Sequence, residues 1–325
     1  MKAVVCATAG GPEVLRLEEV SEPLPGANEV RILVHASALN RADLLQRRGL
    51  YPAPPGASEI LGLECAGTVE LLGDGASRFA AGARVMALLS GGGYAEKVTV
   101  HEHVLMQVPD CLSFEAAAAV PEAFLTASEA LLTEGALHEG DSVLINAAAS
   151  GVGSAAVQIA KLRGASVIAS ASQRKLPLLR ALGVDIALER DRPDYVEAVM
   201  AATGGRGVDV IVDFVGGSAL SRHQACLASR GRLVVVGLLG GAAAPLDLGR
   251  LLMKRQRILG LVMRSRSLAE KAGIVARFER ELWPALATGT LSPQLDQTFP
   301  LAEVAQAHSR MEQNQNSGKI VLRVR

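Results

Sequence analysis

The chain has 325 residues, more than one compact core usually holds, so two domains are expected. Its 33 Lys and Arg balance 33 Asp and Glu, which leaves no excess charge to draw nucleic acid or an anionic membrane surface. Hydrophobic residues make up 49% but aromatic ones only 3%, the profile of an α/β protein packed with Ala, Val and Leu.

The first residues, MKAVVCATAGG, reach a glycine pair too early for a secretory signal, and no apolar run attains membrane-spanning length, so a cytoplasmic protein is expected. Cys6, Cys65, Cys111 and Cys226 are scattered and form no C-x-x-C pair, as reduced thiols packed like small apolar side chains would be. From residue 1 to 121, short alternating runs such as Glu29 to Val34 and Ala66 to Leu71 are separated by Gly and Pro clusters. A mostly antiparallel β domain with long loops is expected there. Within it His101 and His103 lie two apart, but no third ligand is near in sequence, so they read as a solvated strand end rather than a metal pair.

The pattern changes at Glu122. A helix over Glu122 to Leu132 precedes strands at Ser142 to Asn146, Ser166 to Ser170, Asp185 to Leu188, Val208 to Asp213, Arg232 to Val236 and Arg257 to Leu261. Six strands with helices between them predict a doubly wound parallel Rossmann sheet over residues 122–263, with ligands at the carboxyl ends of its strands. The first of these units reads VLINAAASGVGSAAVQIAK, Val143 to Lys161. Ser150, Gly151, Val152 and Gly153 read as a tight turn before a helix starting at Ser154; glycines there let the backbone approach a bulky anion, and the helix start suits a pyrophosphate.

The second strand runs into Ser170, Ala171, Ser172, Gln173, Arg174 and Lys175, and no carboxylate occurs between Asp141 and Asp185. An NAD-binding unit would place Asp or Glu here for the ribose hydroxyl; Ser172, Arg174 and Lys175 suit a 2′-phosphate instead, so NADPH is expected over NADH. After Met263 comes a helix from Ser267 to Leu286, in which Trp283, Phe278 and Leu282 read as core. The closing strand, Lys319 to Val324, is expected to return to the first domain. The other histidines read as isolated, with no Ser-His-Asp order of a hydrolase.

GGPEVL (Gly10 to Leu15), ALNRADLLQRRGLYP (Ala38 to Pro52), LGLECAGTV (Leu61 to Val69), GGYAE (Gly92 to Glu96), AAASGVGSAAVQIAK (Ala147 to Lys161) and SGKIVL (Ser317 to Leu322) together resemble the medium-chain dehydrogenase/reductase superfamily. The resemblance covers essentially the whole chain. It is strongest to the quinone oxidoreductase (zeta-crystallin-like) branch and within it to the tumour-suppressor-inducible group. It implies a GroES-like catalytic domain over 1–121, completed by 264–325, beside the Rossmann domain. In zinc-dependent members a Cys stands at the place of Asn40 and a His at that of Leu63; Asn and Leu cannot replace them, and a metal-free site is implied. Without a Lewis acid, oxidation of an alcohol is disfavoured and reduction of an electrophilic acceptor remains.

The resemblance further implies roles. Asn40, Asp43, Tyr51 and Thr126 fall near the nicotinamide, with Tyr51 hydrogen-bonding the acceptor oxygen, Asn40 a second polar contact and Asp43 a support for the loop. Ser150, Gly151, Val152 and Gly153 meet the pyrophosphate; Ser172 and Lys175 meet the 2′-phosphate, and Arg190 reaches that phosphate or stacks on the adenine; Gly237 and Leu238 lie by the nicotinamide ribose; Met263, Arg264, Ser265 and Asn316 complete the cofactor contacts. The expected activity is hydride transfer from NADPH to quinones or related conjugated carbonyls. Alternatives are an NADPH-dependent enoyl or 2-alkenal reductase and, from another class, a non-enzymatic NADPH-binding structural or regulatory protein. A homodimer through the sixth strand, Arg257 to Leu261, is also implied.

Overall fold

The computed structural model describes residues 1–325, which divide into two compact units, Met1–Leu125 with Met263–Arg325, and Thr126–Val262. In chain order the first part of unit 1 contains strands β1 (Lys2–Cys6), β2 (Leu15–Glu19) and β3 (Glu29–Ala38), helix α1 (Arg41–Arg47), and strands β4 (Glu64–Leu72), β5 (Arg84–Leu88), β6 (Lys97–His101) and β7 (Leu105–Gln107). Helix α2 (Phe114–Ala118) follows, and α3 (Pro121–Ser128) carries the chain into unit 2.

Unit 2 alternates β8 (Ser142–Ile145), α4 (Gly151–Leu162), β9 (Ser166–Ala171), α5 (Leu176–Ala181), β10 (Ile186–Glu189), α6 (Tyr195–Ala202), β11 (Val208–Asp213), α7 (Leu220–Cys226), β12 (Leu227–Val235), α8 (Leu248–Met253) and β13 (Arg257–Gly260). The chain then returns to unit 1 with α9 (Leu268–Glu281), α10 (Trp283–Ala287), β14 (Leu295–Pro300), α11 (Val304–Glu312) and β15 (Lys319–Arg323).

In unit 2 all six strands are parallel, in the order β10-β9-β8-β11-β12-β13. This is the doubly wound arrangement that the strand-helix alternation predicts, with the order reversing between β8 and β9 on one side and β11 on the other. The central strands are buried on both faces, so they read as unbroken apolar runs: Val143, Leu144, Ile145, Val210, Ile211 and Val212 are all fully buried. Leu144, Ile168, Leu188, Tyr195, Val199, Ile211 and Leu233 share one core cluster.

In unit 1 a sheet runs β14-β15-β3-β4-β5-β7, with β6 also pairing β3. It is antiparallel except for β14 and β15, which are parallel to each other. The returning C-terminus pairs through Val321 with Ala38 of β3. No helix is long and apolar enough to cross a membrane.

Several local expectations change. The segment after Asn40 is a helix rather than a loop: the Asn40 backbone is extended (φ −128°) and the Asp43 carboxylate, in the first turn, accepts the Asn40 N–H at 2.7 Å. The helix expected over Glu122 to Leu132 is α-helical only to Ser128 and then widens into a π turn, with the Gly135 N–H reaching Ala130 O. The long helix after Ser267 divides at Leu282, because Pro284 has no N–H to continue it. Trp283 is not core. It is half-buried and its indole N–H donates to Gln107 O, whereas Phe278 and Leu282 are buried. Cys111 is exposed, unlike the buried Cys65 and Cys226, so it does not pack as a small apolar residue. His101 and His103 lie at the end of β6, with ring centroids 5.0 Å apart and His103 donating its N–H to His101 Nδ1.

Candidate functional site

The dinucleotide-type loop of unit 2 differs in register from its sequence reading. Residues 146–150 form the turn and the helix already begins at Gly151, because the Ser150 hydroxyl caps it by accepting the Gly153 N–H at 3.0 Å. The turn is pulled tight by Ala147, at φ +47°, and by the Ala148 N–H, which donates to Ser170 O at the end of β9. A Cβ on Gly153 would lie 2.6 Å from Ala147 O and 2.7 Å from Ala148 Cα, so only glycine lets the helix start nest on the turn. With Ser150 satisfying Gly153, the N–H groups of Gly151 and Val152 open the helix with no acceptor inside it.

Behind the turn lies a network that the sequence reading did not single out. Asn146 accepts the Phe214 N–H through Oδ1 at 2.9 Å and donates through Nδ2 to Asp213 Oδ1 at 3.2 Å. Asp213 Oδ1 also accepts the N–H groups of Val215 and Gly216, and its Oδ2 faces His223 Nδ1 at 3.2 Å. Burial opposes the charge of Asp213, yet His223 and the two backbone donors hold its carboxyl below the usual range. His223 is therefore not an isolated histidine: it is fully buried and fixes the loops after β8 and β11. The signal available was positional, since Asn146 and Asp213 each stand where a parallel strand ends.

At the end of β9, Ser170 accepts the Tyr195 hydroxyl at 3.1 Å and Ser172 opens a 3-10 turn over Gln173–Lys175. Arg190 is brought beside them by its N–H, which donates to Ala171 O; its exposed guanidinium pairs with Asp191. Gly237 joins the same edge, donating to Asp213 O, with Leu238 next to it 55% exposed. Thr126 lies on α3 at the start of this unit, and its buried Oγ1 has no hydrogen-bond partner.

Unit 1 gathers the other expected residues into two groups. In the first, Asn40 is held on every side: Nδ2 donates to Glu64 Oε1 at 2.8 Å and Oδ1 accepts Lys319 Nζ at 2.8 Å. Lys319 also donates to Leu39 O and pairs with Glu64 Oε1, while Glu64 Oε2 accepts the Glu122 N–H at 2.8 Å. Asp43, fully buried, accepts from the Tyr94 hydroxyl at 2.9 Å and from Gly62 N–H. Burial pushes its carboxyl up to about 6, against the pull of the Asn40 and Tyr94 donors. Glu64, Tyr94 and Lys319 were missed, although a Glu and a Lys that each open a strand directly before an apolar or small-residue run, ECAG and KIVL, are a readable pair of signals.

The second group surrounds Tyr51, half-buried in the loop after α1. The Arg264 guanidinium lies over its ring, 5.2 Å from the centroid, and donates to Tyr51 O, Ser90 O and Gln46 Oε1. Burial raises the Tyr51 phenol and Glu122 adds to the rise, while Arg264 opposes it. Met263 is buried and Ser265 exposed; Asn316, buried before β15, donates to Gly318 O.

Two family models match the chain: an alcohol dehydrogenase GroES-like domain over residues 26–110 and a zinc-binding dehydrogenase domain over 151–278. A quinone oxidoreductase of Pseudomonas aeruginosa is 34% identical over 327 residues, covering 99% of each chain. A human quinone oxidoreductase is 30% identical, covering 99% of this chain and 97% of that protein. Among solved structures, an NAD-dependent alcohol dehydrogenase is 34% identical with a TM-score of 0.90, each chain covered completely. A mycobacterial protein complexed with NADPH is 30% identical with a TM-score of 0.90, covering 99% of this chain and 100% of that one. The enoyl reductase CurK is 30% identical with a TM-score of 0.89, covering 99% and 98%. With its parallel six-stranded unit, its mixed-sheet partner unit and these relatives along its full length, the chain belongs to the medium-chain dehydrogenase/reductase superfamily, in the quinone oxidoreductase branch.

Proposed function

We propose that this protein transfers hydride from NADPH to quinones or related conjugated carbonyl acceptors without zinc. The observation that carries the cofactor choice is the end of β9, where Ser172, Gln173, Arg174 and Lys175 stand and no carboxylate side chain occurs before Asp185. A 2′-phosphate meets hydroxyl and cationic groups there, whereas the ribose diol of NADH lacks its usual acidic partner.

The residues present fit a dinucleotide. Gly151 and Val152 offer free N–H groups at the start of α4, and the partnerless Thr126 Oγ1 is a buried polar atom that a ligand group would satisfy. Bound there, the reduced nicotinamide supplies the hydride. The chain's own part is to hold the pyrophosphate at Ser150, Gly151, Val152 and Gly153, and the phosphate of the adenosine end at Ser172 and Lys175, with Arg190 beside it. Gly237, Leu238, Met263, Ser265 and Asn316 complete the cofactor contacts in this reading, and the Tyr51 hydroxyl donates to the acceptor oxygen as it gains charge.

The residues do not fit zinc. Both ends of the Asn40 amide are engaged by Glu64 and Lys319, Leu63 is a buried hydrocarbon, and Glu64 is already paired with an ammonium. No group of three or more His, Cys, Asp or Glu side chains is assembled that could hold a metal.

The apolar, solvent-facing residues near the sheet edge formed by β13, such as Leu252 and Met253, support a homodimer as the working form. Consumption of NADPH and NADH is measured with 1,2- and 1,4-quinones and an enone, with the redox state of the product followed in parallel. Turnover of quinones with NADPH is expected. Turnover confined to the enone supports an enoyl or 2-alkenal reductase instead, a reading that the likeness to CurK favours. Binding of NADPH with no oxidation of it by any acceptor refutes an enzymatic role.

A further inference from the structure

Lys271 lies on α9 and is only 6% exposed, yet it forms no ion pair: its ammonium donates to Ser90 Oγ at 2.6 Å and Arg264 O at 2.7 Å. Arg264, 4% exposed, likewise donates only to neutral oxygens, those of Ser90, Tyr51 and Gln46. Two cations thus sit together in a poorly solvated region, each satisfied in hydrogen bonds and neither neutralised. Such an arrangement is costly unless negative charge arrives at some stage of function.

The carboxyls whose fields reach them do not supply that charge in full. Glu122 on α3 bears on both and Asp43 on α1 bears on Arg264. Neither carboxyl makes an ion pair or hydrogen bond with either cation: burial pushes Glu122 up to about 8, and the Asp43 oxygens accept from Asn40, Tyr94 and Gly62 instead. The half-buried group beside Arg264 is Tyr51, whose ring lies under the guanidinium, and Lys271 reaches it only through the Arg264 carbonyl that it holds.

We propose that Lys271 and Arg264 form a fixed pair of positive charges behind Tyr51 that favours an oxyanion at that tyrosine, namely the enolate or phenolate oxygen of a conjugated carbonyl acceptor during its reduction. This deepens, and rests on, the reading of Tyr51 as the residue that meets the acceptor. Hydride adds to the acceptor, its electron pair displaces a π pair onto the carbonyl oxygen, and water then protonates that oxygen; the dinucleotide is the species oxidised. Lys271 acts as a positioning residue, tied to Tyr51 through the backbone of Arg264 and through Ser90, whose carbonyl Arg264 also holds.

The probe is 4-nitrophenol, whose phenolate absorbs in the visible, titrated against the full-length protein in the absence of dinucleotide. The wild type is expected to bind the phenolate at least about tenfold more tightly than the neutral phenol, seen as a bound pKa lowered by about one unit. Lys271→Met is expected to lose that preference and Lys271→Arg to keep it. Lys271→Gln, which keeps a donor for Ser90 without the charge, separates charge from bracing: a purely structural brace would weaken both forms alike. Equal binding of the two forms by the wild type, an undiminished preference in Lys271→Gln, or binding unaffected by Tyr51→Phe would overturn the proposal. NADPH consumption with quinones is followed in the same preparations; if it is absent the reductase reading falls, whereas the phenolate titration still decides the charge pair.

Discussion

The Glu64 and Lys319 pair offers the sharpest energetic test of unit 1. Lys319 Nζ makes three contacts, to Leu39 O, Asn40 Oδ1 and Glu64 Oε1, and the side chains of Lys319 and Glu64 are 4% and 0% exposed. In Lys319→Met the stem keeps its packing, but Glu64 is left as a buried carboxylate with only the Asn40 amide and the Glu122 N–H to stabilise it. Breaking a buried pair from one side typically costs about 3 to 5 kcal/mol. For a unit of this size that corresponds to a drop in Tm on the order of 10 °C. The chain has a single Trp, and Trp283 lies in unit 1 with its indole donating to Gln107 O, so its fluorescence in a denaturant or thermal titration reports this unit directly. Adding Glu64→Gln to Lys319→Met should recover at least about 1 to 2 kcal/mol, because the uncompensated charge is gone. A loss below about 1 kcal/mol for Lys319→Met, or no recovery in the double variant, refutes the view that the pair is a mutually dependent buried unit.

Lys175→Ala should weaken NADPH binding at least about tenfold while leaving NADH binding nearly unchanged, and equal losses measured by calorimetry would remove the phosphate assignment. Gly153→Ala forces a Cβ to within 2.6 Å of Ala147 O, so it should lift the start of α4 from its turn, abolish NADPH fluorescence enhancement and lower stability by about 1 to 3 kcal/mol. Glu122→Gln tests the raised carboxyl. Because its folded value of about 8 exceeds that of the unfolded chain, Glu122 contributes stability that is present at low pH and lost as pH rises towards 8. The variant should therefore match wild type near pH 4 and exceed it near pH 8.5, by up to about 4 kcal/mol for a fully shielded carboxyl and by less as solvent screens it; parallel curves would contradict the shift. Tyr51→Phe should lower kcat for quinones by about tenfold to a few hundredfold with little change in KM, and unchanged kinetics would take Tyr51 out of the reaction.

Local pattern carries unequal amounts of information in this chain. The parallel sheet was legible because strands buried on both faces must be continuous apolar runs, and five of the six stand between amphipathic or small-residue helices in strict alternation. The proposed phosphate contacts at the β9 end come from residues consecutive in sequence, Ser172 to Lys175, and the Lys175→Ala comparison tests them. Boundaries were less legible than the sheet. The start of α4 shifted from Ser154 to Gly151, because a serine hydroxyl reaching a backbone N–H three residues on is a conformational choice that the string SGVG does not disclose.

Composition and periodicity by themselves signalled the two-unit plan, the doubly wound sheet and the glycine-bearing turn, since length, strand-helix alternation and a glycine cluster are patterns visible along the chain. Only tertiary structure decided that Asn40, from the end of β3, is clamped between Glu64 and Lys319, that His223 serves Asp213, and that Arg264 lies over Tyr51. Those partners are 24, 279, 10 and 213 positions apart. A charge can be neutralised, or left unneutralised, only by whatever the fold brings within a few ångströms of it, and one sequence read alone holds no record of that distance.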